Sequence, residues 1–217
     1  MKKAFTMMEL VFVIVIIGII SAMIAPNFQR NSVREAADQL ISHIRYTQHL
    51  AMIDDQYNPS DPNWYEKRWQ LLIGKSSSGT LNSGGYYAYT IFSDTSTSGN
   101  PDPGEIATNP LDNTKLLSGG FSNTLDWEDE RATKALNIGS KYGITNVTTS
   151  GCAGAKRIAF DYLGRPIKGN ISSDISPYRA TSATISLLTS QCAITITDGT
   201  TSVTIAIEPE TGYAHIL

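Results

Sequence analysis

Between Asp94 and Glu105 the chain reads Asp-Thr-Ser-Thr-Ser-Gly-Asn-Pro-Asp-Pro-Gly-Glu, with oxygen-bearing side chains at loop positions one, three, five, nine and twelve and glycine at six. Hard cations such as calcium are held by oxygen cages of this spacing. The pattern predicts a structural calcium site with Asp94, Ser96, Ser98, Asn100, Asp102 and Glu105 as ligands. Only three of these carry charge, Pro101 and Pro103 stiffen the segment, and no helical pattern flanks it, so a polar surface loop is the competing reading. Imidazole chemistry has three candidates, His43, His49 and His215. His43 and His49 stand six apart and face different sides of a helix, so they cannot chelate as an i, i+4 pair does. No H-E-x-x-H, G-x-S-x-G or Walker-type loop occurs, and the chain is read as non-enzymatic. The remaining residue of chemical interest is Glu9, a carboxylate inside an otherwise apolar run from Phe5 to Ala25. Such a group is costly in an apolar setting unless partnered, and reads as functional by default. The plainer reading places it in the headgroup region at the end of a signal anchor.

The elements that must position these residues follow from periodicity. A helix from Phe5 to Ala25 would rise about 31 Å, which matches a ~30 Å hydrocarbon layer, so a single membrane span is predicted. Lys2 and Lys3 put the N-terminus on the cytoplasmic side and the rest across the membrane. A removable secretory signal competes, but Ser21-Ala22-Met23-Ile24-Ala25-Pro26 lacks a clean A-x-A site. After Pro26, Val33, Ala36, Ala37, Leu40, Ile41, Ile44, Ala51 and Met52 recur at three-and-four spacing, which extends one long helix whose second half is amphipathic. Asp54 to Pro59, with Pro62, ends it. Beyond lie strand-like runs at 69–73, 85–92, 156–160, 184–188, 193–197, 202–207 and 213–217, rich in aromatic and β-branched residues or alternating in polarity. The stretch 93–120 suits an irregular excursion. The expected fold is α+β: a long N-terminal helix packed on an antiparallel β-meander.

Charge and cysteine usage narrow the partners. The net charge is −3, and Lys156, Arg157, Arg165 and Lys168 read as solvated strand edges, so nucleic acid is not an expected partner. Cys152 and Cys192 are too far apart for a C-x-x-C motif. In the oxidising compartment that a translocated domain would occupy, they read as a disulfide, with two buried free thiols as the alternative.

The string Lys3-Ala4-Phe5-Thr6-Met7-Met8-Glu9-Leu10-Val11 resembles the processing and assembly segment of type IV prepilins and type II secretion pseudopilins. It has a short basic leader, a small residue, then Phe with Glu four residues on; Gly18 and Pro26 stand where that family's first helix usually carries Gly and Pro. Ala4 departs from the family's usual Gly. The resemblance implies cleavage between Ala4 and Phe5 by a prepilin peptidase, N-methylation of Phe5, and a role for Glu9 in assembly. Residues 40–52, Phe160-Asp-Tyr-Leu-Gly-Arg-Pro166 and Ile207-Glu-Pro-Glu-Thr-Gly-Tyr213 are similar to segments of H-type minor pseudopilins and minor pilins. The implied organisation is a leader at 1–4, a transmembrane and assembly half-helix at 5–26, an amphipathic half at 27–54 and a periplasmic β-rich domain at 55–217. The implied function is that of a minor structural subunit of a pseudopilus or type IV pilus. Its expected partners are other subunits, an inner-membrane assembly platform and membrane lipid. The alternatives are a signal-anchored periplasmic binding or enzymatic domain and a DNA-uptake minor pilin.

Overall fold

In a computed structural model of the chain, residues 6–24, 31–153, 156–178 and 185–217 are described. Two units result, Met1–Asn31 and Ser32–Leu217. In the first, the unbranched and β-branched apolar run forms helix α1, Met7–Ile24. Its 18 residues rise about 27 Å, short of a ~30 Å hydrocarbon layer. Among the described residues no helix is long and apolar enough to cross a membrane. The expected single-pass inner-membrane location, with a cytoplasmic N-terminus and a periplasmic domain, is corrected accordingly. That expectation needed the helix to run through Phe5 and Ala25, both outside the described residues, as are Ala4 and Pro26. Nor is one long helix shown: α1 and α2, Ser32–Ile53, are separate elements of 18 and 22 residues.

The second unit is built around α2. Its buried stripe is Val33, Ala36, Ala37, Leu40, Ile41, Ile44, Thr47 and Ala51, the three-and-four spacing that puts side chains on one face. The alanines let two sheets approach it closely. Strands β1 (Trp69–Gly74) and β2 (Ala88–Ser93) pair in antiparallel register with Leu71 opposite Ile91. A small hairpin follows, β3 (Thr108–Asn109) and β4 (Asp112–Leu116), then a five-residue helix α3 (Ile138–Tyr142) ended by Gly143 at φ 74°. Next come β5 (Asn146–Ser150), β6 (Arg157–Phe160), β7 (Pro166–Lys168) and β8 (Ser186–Leu187). The chain closes with β9 (Cys192–Thr197), β10 (Ser202–Ile207) and β11 (Ala214–Ile216). One sheet runs β2-β1-β6-β7-β8 and the other β11-β10-β9-β5, with every pairing in both antiparallel.

Alternation decides which side chains enter the core. Leu71, Ile73, Tyr89, Ile91, Ile158 and Phe160 from the first sheet meet Ile194, Ile196, Ile205 and Ile207 from the second, with the α2 stripe in the same cluster. The opposite face of the first sheet carries Gln70 and Arg157 beside a smaller apolar cluster of Ala159, Ile167, Ile171 and Ile185. The fold class is thus α+β with antiparallel sheets. The C-terminal meander expected from 184 onward holds for β9 to β11, but β8 instead pairs with β7, Leu187 opposite Ile167, so that β6, β7 and β8 are sequential antiparallel neighbours in the other sheet, and β5 fills the edge beside β9.

Candidate functional site

The first turn of α1 is a capping box. The Thr6 N–H and hydroxyl donate to Glu9 Oε2 at 2.9 and 3.0 Å, and the Glu9 N–H donates back to Thr6 Oγ1 at 3.3 Å. Two otherwise orphaned helix donors are satisfied this way. The Thr6 bonds hold the Glu9 carboxyl below its ordinary range. The T-x-x-E spacing is legible in the sequence, but the reading of Glu9 as an assembly residue or a headgroup-level carboxylate does not include this cap. Beyond this turn α1 has no polar face: Leu10, Phe12, Ile14, Ile17 and Ile20 are each at least half exposed although they point around the helix. An apolar surface of this extent calls for a covering partner.

The loop from Asp94 to Glu105 does gather most of its expected residues. Asp94 is fully buried and accepts the Ser98 and Gly99 N–H groups at 3.0 and 2.9 Å. Glu105 accepts from Ser96 N–H at 2.5 Å and the Thr95 hydroxyl at 3.1 Å, while Asp102 receives the Ser96 and Ser98 hydroxyls, each at 3.4 Å, and Asn123 Nδ2 at 3.0 Å. Asn100 joins through its main chain, its N–H donating to Ser98 Oγ and its carbonyl accepting from the same hydroxyl. The carboxylates therefore organise the loop's own donors, and among the described residues no group of three or more His, Cys, Asp or Glu is placed to hold a metal ion. Burial pushes the Asp94 carboxyl up, against the opposing Gly99 N–H. Nearby, the buried Arg157 guanidinium donates to Gln70 Oε1 at 3.1 Å, to Asn170 Oδ1 at 2.5 Å and to the Gly99 carbonyl. Burial lowers its pKa to about 10.

The four basic residues that the sequence grouped are dispersed. Arg157 is buried, Arg165 pairs with Asp161 at 2.7 Å over the Tyr178 ring, and Lys156 lies beside Tyr87. Of the histidines, His43 is half-buried with Nδ1 2.6 Å from the Tyr89 hydroxyl, His49 is exposed, and His215 stacks on Tyr213. Cys152 and Cys192 are joined in a disulfide, Cα atoms 4.9 Å apart, tying the residues just after β5 to the start of β9.

Gln48 of α2 is the residue that sequence reasoning passed over. Its Nε2 donates to the Gly164 carbonyl at 2.8 Å and to the Thr211 carbonyl at 2.7 Å. It thereby clamps together the two glycine turns of the 160–166 and 207–213 motifs, 47 residues apart in numbering at Gly164 and Thr211. Asp161 shapes the first turn by accepting the Leu163 and Arg165 N–H groups. In the second, Glu210 sits at φ 61° between Pro209 and Thr211, whose N–H closes on the Pro209 carbonyl at 2.6 Å, a tight γ-turn. A Cβ at Gly212 would stand 2.7 Å from the Gly164 carbonyl oxygen and 2.6 Å from Gln48 Nε2. Only glycine admits that approach. No known family, characterised protein or solved structure matches this chain. The functional reading therefore stands on α1, with the Gln48 platform as a scaffold for the two turns.

Proposed function

We propose that this chain is a structural subunit that is processed between Ala4 and Phe5 and then assembles into a type II secretion pseudopilus or type IV pilus. A minor, H-type role is the most specific form of that reading. A single observation carries it: α1 is apolar and exposed on every side, with one carboxylate, Glu9, in its first turn. A helix of that kind is covered when identical or related helices pack against it in a filament, which removes apolar surface from water. Burying Glu9 there is unfavourable unless it meets a cation, and the amino group freed at Phe5 by cleavage supplies one. The other subunits and the prepilin peptidase are the partners this requires.

The test separates charge from capping. Mass spectrometry of the mature chain is expected to show a start at an N-methylated Phe5. Glu9→Ala loses both the cap and the charge, whereas Glu9→Gln keeps an acceptor for Thr6 and loses only the charge. Both variants should be cleaved and both should fail to enter filaments. Normal assembly of Glu9→Gln would remove the pairing mechanism, and an intact Met1 in assembled material would remove the reading as a whole.

A further inference from the structure

Beside the loop that follows β1 lies a notch of about 550 Å³ lined by Lys75, Ser76, Gly85, Tyr87 and Lys156. Two ammonium groups converge there on one ring, Lys75 Nζ 5.4 Å and Lys156 Nζ 5.9 Å from the Tyr87 centroid. Neither makes an ion pair among the described residues. The ring is itself held, its hydroxyl donating to Asn146 Oδ1 at 3.2 Å. Two like charges beside one aromatic ring and lining one notch are each attracted to the ring and repelled by each other. An anion lying across both relieves that repulsion. The backbone donors that a compact phosphate would need are spent: Ser76 N–H goes to Ser83 Oγ, Ser78 N–H to Ser76 Oγ, Gly84 N–H to Asn82 Oδ1 and Gly85 N–H to the Ser76 carbonyl. What remains, two separated point charges on flexible stems, fits two carboxylates carried on one stretch of chain.

Such a stretch borders the same loop. Residues 126–130 read Asp-Trp-Glu-Asp-Glu. Trp127 seats this run against the notch's rim, its N–H donating to the Asn82 carbonyl at 3.1 Å and its ring packed so closely on Gly84 that a Cβ there would lie 2.8 Å away. Lys134 donates to the Trp127 and Asp129 carbonyls at 2.5 and 3.0 Å, and Lys115 donates to the Glu130 carbonyl, so lysines hold the run through its main chain. Asp126 caps the Glu128 and Asp129 N–H groups and Asp129 pairs with Arg131 at 2.8 Å. Glu128 and Glu130 are left exposed, without an ion pair among the described residues.

A cationic notch bordered by an anionic run is self-complementary, because a two-fold axis through the border brings each patch onto the other copy's opposite. We propose that this border is a self-association surface, on which Glu128 and Glu130 of one copy fill the Lys75–Tyr87–Lys156 notch of a second. The occupant is a second copy of this chain, chosen by charge complementarity, and the contact is separate from any assembly through α1.

Sedimentation velocity on the full chain, in a mild detergent that masks α1, tests it. The expected result is a reversible dimer at about 50 mM salt that weakens toward ~0.5 M. Lys75→Glu with Lys156→Glu, and separately Glu128→Lys with Glu130→Lys, should each weaken it roughly tenfold or more. An equimolar mixture of the two charge-reversed proteins should restore a heterodimer. Unchanged melting of both variants would confirm that the substitutions, at three exposed positions and the half-buried Lys156, leave the fold intact. A wild-type chain that stays monomeric under these conditions, association that ignores both reversals, or a mixture that does not recover would each overturn the proposal; none of these outcomes bears on α1.

Discussion

At the scale of single residues, Gln48 and His43 show how α2 is tied to the sheets by polar side chains. Replacing Gln48 with Ala removes both bonds to Gly164 and Thr211 carbonyls and is expected to cost about 1–3 kcal/mol, read as a lower urea midpoint at unchanged slope. His43 belongs to a chain of contacts in which Gln39 Nε2 donates to the Tyr89 hydroxyl at 2.8 Å and the Tyr142 hydroxyl donates to Gln39 Oε1 at 2.7 Å. With the Tyr89 oxygen accepting from Gln39, its proton goes to His43 Nδ1, which suits a neutral imidazole. Burial lowers the His43 pKa from 6.5 to about 4. The unfolded chain therefore binds a proton that the folded chain refuses, and stability rises with pH across that interval. The contribution is whole above pH 6.5 and is lost progressively as the pH falls toward 4. Denaturant titrations from pH 7 to 4 should show that loss, and His43→Asn should flatten it; an equal slope in both proteins would exclude His43 as its source.

At the scale of elements, the disulfide and the acidic loop do different work. The Cys152–Cys192 link closes a sequence separation of 40 residues, worth about 4 kcal/mol in the chain-entropy account. Replacing both cysteines with Ala should lower the melting temperature by an amount of that order, and a shift near zero would show that the link constrains little in the unfolded chain. The loop from Asp94 is held by its carboxylate, buried and bonded to two backbone N–H groups. Asp94→Ala should destabilise the protein by about 1–3 kcal/mol, since two N–H groups lose their acceptor. Calcium added to chelator-treated protein should leave thermal unfolding unchanged; a rise in melting temperature with calcium would mean that the carboxylates release their backbone donors to a metal.

At the scale of the whole molecule, Ser32–Leu217 carries one main apolar cluster that includes α2 and both sheets. It should unfold in a single cooperative transition, with fluorescence and circular dichroism tracing the same curve. Ala37, fully buried on α2, tests the close approach: Ala37→Leu should cost about 1–3 kcal/mol through overpacking. Much of this architecture was legible. The α2 stripe, the strands at 69–74, 157–160 and 192–216 and the helix stop at Asp54 follow from period and turn chemistry, which are local properties of the chain. Composition likewise marked Phe5 to Ala25 as an apolar run, but not the extent of the helix it would form. β7 has only three residues, too few to show a period, β5 carries a single apolar side chain, Val147, among polar ones, and the sheet that β8 joins depends on a partner nearly twenty residues earlier. The same limit applies to the sites. The T-x-x-E spacing and the two cysteines are patterns of residue type legible in the sequence; that Glu9 closes a cap and that the cysteines are bonded rather than free came from the folded chain. That Gln48 bridges two distant glycine turns, that Arg157 is buried while Lys156 faces Tyr87, and that an acidic run borders the notch lined by Lys75 and Lys156 were decided only by tertiary structure. Hydrogen-bond reach and burial are set by which strands become neighbours, and that is a property of the folded chain rather than of any stretch within it.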